Sequence, residues 1–159
     1  MVLLENTNFL FVEDALEKWL KQSDLENMEA DVMTDHLANA LNTLKTHEMA
    51  GQGACSVKAT KLIGEVLRVL KENQYLSQYK LVEDGKGGTF EVVLDGRIND
   101  CGVIKPRMPV KRTDWAKKEQ QFIPGFGVGL LIVSTPNGIM TNSDAEKNHV
   151  GGRLLAYVY

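Results

Sequence analysis

At 159 residues, 43% of them hydrophobic, the chain is long enough to bury a core and short enough to be one compact unit or two small lobes. Cys55 and Cys101 lack CxxC spacing, so a disulfide scaffold is excluded and both are expected reduced and structural; no run approaches the roughly 20 apolar residues of a membrane span. Met1-Val2-Leu3-Leu4 has no basic flank and meets Glu5, which excludes a secretory signal and leaves the cytoplasm as the expected compartment, while the net charge of −3 sits badly with a phosphate-bearing partner.

The acidity belongs to one end. Residues 1–32 hold eight acidic residues and two lysines, a charge of −6, whereas residues 33–159 hold sixteen basic and thirteen acidic residues, a charge of +3. Within this extension Val12, Ala15, Leu16, Trp19 and Leu20 recur at helical spacing, which predicts an amphipathic helix from about Phe11 to Lys21. The extension reads equally as a docking or self-shielding arm and as an upstream stretch attached by a misplaced start site.

Thr34 is the expected cap of the next helix, which turns Leu37, Ala38, Leu41 and Leu44 inward and His36 and His47 outward. Ala54 to Val57 reads as a strand. Thr60 caps a helix with Leu62, Ile63, Val66, Leu67 and Leu70 inside and Lys61, Arg68 and Lys71 outside. Alternation in Tyr79–Val82 and Phe90–Asp95 around Asp84–Gly88 predicts a hairpin. These elements make a first α+β lobe, residues 33–98, with a boundary between Gly96 and Gly102.

The second lobe, residues 99–159, opens with Lys105, Arg107, Lys111, Arg112, Lys117 and Lys118 inside fourteen residues, opposed only by Asp114. A local charge of +5 is the footprint of a phosphate-facing surface, with a solvated face as the alternative. Trp115 and Phe122 anchor this segment and Pro124 ends it. The uncharged run Phe126–Val133 is short enough for a strand buried on both faces. It delivers a loop from Ser134 to Thr141; a short polar helix follows, then a turn through Gly151-Gly152-Arg153 and a last strand from Leu154 to Tyr159. Ser and Thr hydroxyls both donate and accept, and glycine allows close backbone approach, so this loop suits the shallow, 2′-hydroxyl-lined minor groove of A-form RNA. Composition alone is also met by an ordinary turn.

The run Ser134-Thr135-Pro136-Asn137-Gly138-Ile139-Met140, then Asp144-Ala145 and Gly151-Gly152-Arg153-Leu154-Leu155-Ala156-Tyr157-Val158-Tyr159, resembles the end of the small ribosomal subunit protein eight family. The likeness is nearest to the archaeal and eukaryotic-type branch. Asp84–Gly88, Gly96–Asn99 and Cys101–Arg107 are similar to family segments in the same order, so the resemblance covers about residues 33–159. It implies an α+β fold of two small lobes, a helix-strand-helix-hairpin lobe and a mostly antiparallel β lobe, here preceded by a helical extension. It also implies a structural constituent of the small subunit that binds the central domain of its rRNA and supports assembly, with small-subunit rRNA and neighbouring small-subunit ribosomal proteins as partners.

On that resemblance the expected RNA contacts are Thr60, Lys61, Lys105, Arg107, Lys111, Arg112, Ser134, Thr135, Asn137, Gly138, Gly151, Gly152 and Arg153. Pro136 where serine is usual, Glu146 where a base is usual and Met108 where an aromatic is usual weaken that surface. No cofactor or small-molecule substrate is expected. Ser134 has no base beside it in sequence, Asp144 and Glu146 do not face each other on a helix, no His/Cys spacing suits a metal, and no glycine run fits a nucleotide cradle. The chain is therefore expected to be no enzyme. The rival reading is a family-derived protein-interaction or regulatory module with weakened RNA binding.

Overall fold

The computed structural model describes residues 35–159. The helix expected over 11–21 and the cap at Thr34 lie outside them. Helix α1 spans His36–Met49 and is capped by Asp35, whose carboxylate accepts the Ala38 N–H at 3.0 Å. It buries Leu37, Ala40, Leu41 and Leu44. Ala38 is only half-buried, and His36 and His47 are half-buried rather than outward. Strand β1 (Ala54–Lys58) follows, then α2 (Lys61–Glu72), with Thr60 accepting the Ile63 N–H as its cap. Leu62 is half-buried, while Ile63, Val66, Leu67 and Leu70 face the core.

Strands β2 (Leu76–Val82) and β3 (Thr89–Leu94) form the expected hairpin, with Phe90, Val92 and Leu94 buried. Its turn is organised by the Asp84 carboxylate, which accepts the N–H groups of Lys86 and Gly88. The order β1-β3-β2 makes a three-stranded antiparallel sheet.

The second sheet is built on the last strand. β4 (Cys101–Val103), β5 (Pro109–Val110), β6 (Leu130–Thr135), β7 (Gly138–Thr141) and β8 (Gly152–Val158) follow the order β4-β8-β6-β7, with β5 also on β8, all antiparallel. Helices α3 (Trp115–Phe122) and α4 (Asn142–Lys147) complete it. Both faces of β6 are covered, as its uncharged sequence demands. Ile132, Ala156 and Val158 join the cluster formed by α1, α2 and the first sheet, whereas Leu131, Val133 and Leu154 pack with Trp115, Ile123 and Ala145. One continuous apolar cluster therefore crosses from the first sheet to the second. Helix α1 is tied to the second sheet at both ends: Asp35 pairs with Lys105 just after β4, and Lys45 pairs with Asp100 just before it at 2.6 Å.

Three expectations are corrected. The strand expected from Phe126 begins at Leu130; residues 125–129 are a turn with Gly127 at φ +74°, and Phe126 and Val128 are 81% and 58% exposed. Glycines at 125, 127 and 129 give the backbone freedom that a strand interior lacks, so the apolar run breaks before its last four residues. The loop expected from Ser134 to Thr141 is a tight hairpin with only Pro136 and Asn137 between paired strands. Its Ser and Thr residues continue β6 and β7, because β-branched and small hydroxyl side chains fit a half-buried pleat. Finally, Gly152 and Arg153 belong to β8 and not to the turn before it.

The sulfur of Cys101 donates to the Leu41 carbonyl at 3.3 Å, and burial pushes its thiol up to about 12; Cys55 is raised by the same cause. Both remain thiols, as read from their spacing.

Two predictions test this packing. Leu131→Ala should cost about 3 kcal/mol by the transfer and cavity terms, whereas Phe126→Ser should stay within about 0.5 kcal/mol in denaturant unfolding. Equal losses would mean that the 125–129 turn is packed. The second concerns acid. At Asp35 burial pushes the carboxyl up, but Lys105, the Ala38 N–H and Arg107 together bring it below its ordinary value; at Asp100 the Lys45 ammonium does so. Depressed carboxyls stabilise above the unfolded value of about 3.9, and that contribution disappears as pH falls through the folded values. The thermal midpoint should fall as pH drops below about 4, and the pair Asp35→Asn, Asp100→Asn should show a shallower fall over the same window.

Candidate nucleic-acid interface

The β6–β7 hairpin supplies the tip. Proline sets the φ required at the first central position of the turn, and Gly138 takes φ +114° where the chain re-enters a strand. Thr135 closes the turn from inside: its hydroxyl donates to the Gly138 carbonyl at 2.8 Å and accepts the Asn137 N–H at 3.2 Å. Thr135 is buried, so its hydroxyl shapes the tip and does not reach outward, contrary to the expectation from sequence. Asn137 and Gly138 are exposed, Ser134 is half-buried, and the Ser134 hydroxyl makes no hydrogen bond among the described residues.

Register places the cations beside this tip. Ser134 is opposite Arg153, and Arg153 is opposite Pro109, so one row runs across β6, β8 and β5 with its side chains on a single face. The three strands put Ser134 and Pro109 about 10 Å apart. Arg153 is exposed, as are Lys105, Arg107, Lys111 and Arg112 around β5. Lys105 is partly neutralised by Asp35.

Gly151 and Gly152 make this proximity possible. A Cβ on Gly152 would stand 2.5 Å from the Ser134 carbonyl oxygen, and one on Gly151 would stand 2.7 Å from that of Val110. Any side chain there would push β8 away from β6 or from the Lys111-Arg112 backbone. Both glycines thus give neighbouring strands room to approach and position the surface, and both remain half-buried.

Thr60 and Lys61 are less directly joined to this surface. They start α2, and Arg68, two turns on, reaches the hairpin, its guanidinium donating to the Ile139 carbonyl at 3.2 Å. The rise of the helix puts Thr60 about 12 Å from Arg68 along its axis. Sequence reading saw in Arg68 only an outer helix residue; the available signal was its seven-residue spacing from Lys61, which puts both on one face. A second missed residue is Glu119 of α3. Its carboxylate accepts the Gly127 N–H and the Asn142 amide, while the Asn142 side-chain oxygen accepts the Leu131 N–H, so α3, the exposed Phe126 turn and α4 are linked to β6.

The chemistry available is donation, acceptance and positive charge. No group of three His, Cys, Asp or Glu that could hold a metal occurs among the described residues, and no helix there is long and apolar enough to cross a membrane. A hydroxyl and an amide at a narrow tip, flanked by five cations, match ribose hydroxyls and phosphates. Residues 35–159 match the family model of ribosomal protein S8, which covers every described residue. The chain belongs to the ribosomal protein S8 family, structural rRNA-binding proteins of the small ribosomal subunit.

Proposed function

We propose that this chain binds the central domain of small-subunit rRNA and supports assembly of the subunit in the cytoplasm by fixing a duplex segment. The observation that carries the reading is the shared face of Ser134, Arg153 and the Pro109 edge, which sets hydroxyl and cation side by side at the spacing of adjacent strands. Ser134, Asn137 and Gly138 meet sugars and base edges in the minor groove, and Arg107, Lys111, Arg112 and Arg153 neutralise phosphates. Lys105 contributes less because Asp35 holds it. Thr60 and Lys61 make a backbone contact along α2. Thr135 holds the tip in place from inside, and the half-buried Gly151 and Gly152 bring the backbone close beside it.

Pro136 is at the one position of the tip where a proline is structurally apt, and Glu146 is exposed on α4, where its charge opposes a phosphate. The Phe126–Val128 tip is at the other end of β6, about 20 Å from Asn137 by strand rise. It supports contacts with neighbouring ribosomal proteins away from the RNA.

Replacing Lys111 and Arg112 by alanine should weaken duplex RNA binding across sequences and reduce the slope of log affinity against log salt by about two units. An unchanged slope in a salt titration would remove both from phosphate contact. Ser134 and Thr135 should separate cleanly. Ser134→Ala is expected to lower affinity about fivefold, one hydrogen bond, with the thermal midpoint unchanged. Thr135→Val is expected to lower the midpoint, because it opens the turn, and the reverse pattern would place the contact on the wrong hydroxyl.

A further inference from the structure

The cationic face has a second anion within reach, in the same chain. Residues 1–34 carry a net −6, and they join the described fold at Asp35. That junction lies on the cationic face: the Asp35 carboxylate pairs with Lys105 and is also drawn down by Arg107. Thirty-four residues reach on the order of 110 Å when extended, so nothing on this face is too far. The family model begins at residue 35, so the acidic segment is a property of this chain and not of the matched region.

We propose that residues 1–34 occupy the surface formed by Lys105, Arg107, Lys111 and Arg112 when RNA is absent, their carboxylates standing in for phosphates. The contact rests on that surface being the phosphate-facing one assigned above. A tether of this kind presents its charges at an effective concentration of order 1 mM. Against an affinity of about 10⁻⁴ M, that of weak non-specific phosphate binding, the segment covers the face most of the time and lowers RNA affinity about tenfold. The same factor falls on every RNA. Binding through phosphates alone drops out first, and binding that also engages Ser134 and Asn137 survives. The segment thereby leaves the ratio of affinities unchanged but clears the face of weak polyanions at concentrations where the matched duplex still binds.

The test keeps the full chain. Glu5, Glu13, Glu17, Glu26 and Glu29 are changed to Gln, and Asp14, Asp24 and Asp31 to Asn, and binding of a short RNA duplex is titrated with salt for both chains. The neutralised chain should bind about tenfold tighter at low salt with a steeper slope, and the two should converge as screening removes the internal contact. In parallel, a zero-length carbodiimide is applied to the native chain without RNA; amide links from residues 5–31 to Lys105 or Lys111 are expected and should vanish in high salt. Equal affinities together with links to neither lysine overturn the proposal. Links that form while neither chain binds RNA leave the internal contact standing and overturn the RNA reading instead.

Discussion

The second sheet depends on how closely β8 is allowed to approach β6. A glycine at each end of the pair permits it: Gly129 before β6 lies against the Val158 carbonyl and Tyr159, and Gly152 at the start of β8 lies against the Ser134 carbonyl. A Cβ at Gly129 would be 2.4 Å from that carbonyl oxygen, a distance no real contact tolerates. Between these two points the strands exchange partners from Leu130 with Val158 to Ser134 with Arg153, with one irregularity between Ile132 and Val133. Losing the approach at either end would shift the register. A one-residue slip sends every side chain to the other face. Ile132 would then leave the cluster shared with the first sheet, and Ser134 would leave the side that carries Arg153.

That dependence joins stability to recognition. β6 buries Leu131, Ile132 and Val133 completely and ends, two residues later, in a tip that must remain open. The change from core to contact surface happens within one strand, and Thr135 makes it possible. Its buried hydroxyl satisfies a carbonyl and an N–H of the turn that would otherwise need water or the ligand. The tip is thus ordered before any partner arrives, which lowers the conformational entropy lost on binding.

Much of this was legible in the residues, and the failures have physical causes. Periodicity located α1, α2 and the β2–β3 hairpin, because each helix has one apolar face and the hairpin alternates around a turn rich in glycine. Charge density marked Lys105, Arg107, Lys111 and Arg112 as surface residues, and all four are exposed. Misreading began where composition and conformation part company: Phe126 and Val128 look like strand interior, yet the glycines around them release the backbone and both side chains face outward. Ser134 and Thr135 look like loop, yet they extend β6, because polarity does not distinguish a solvated turn from a strand end that bonds to itself. The roles of Gly151 and Gly152 were legible as a demand for space, but whose space could be known only once β5 and β6 were seen on either side of β8. Arg68, Glu119 and the Asp35–Lys105 pair each join residues far apart in sequence, and no local pattern encodes such contacts.

Electrostatics resolves the remaining tension between a net charge of −3 and a phosphate partner. Overall charge governs long-range steering, whereas affinity for a phosphate chain is set by cations that lie within a Debye length of it. On this fold those cations are gathered around β5 and Arg153 by strand pairing, and the described residues carry +3 against −6 in the acidic segment. The acidic segment can therefore reverse the sign of the whole chain without displacing one cation from the face. Net charge is therefore a poor guide to the partner, because in the proposed contact the property that matters is where the fifth and eighth strands put Arg107, Lys111, Arg112 and Arg153 relative to one exposed asparagine.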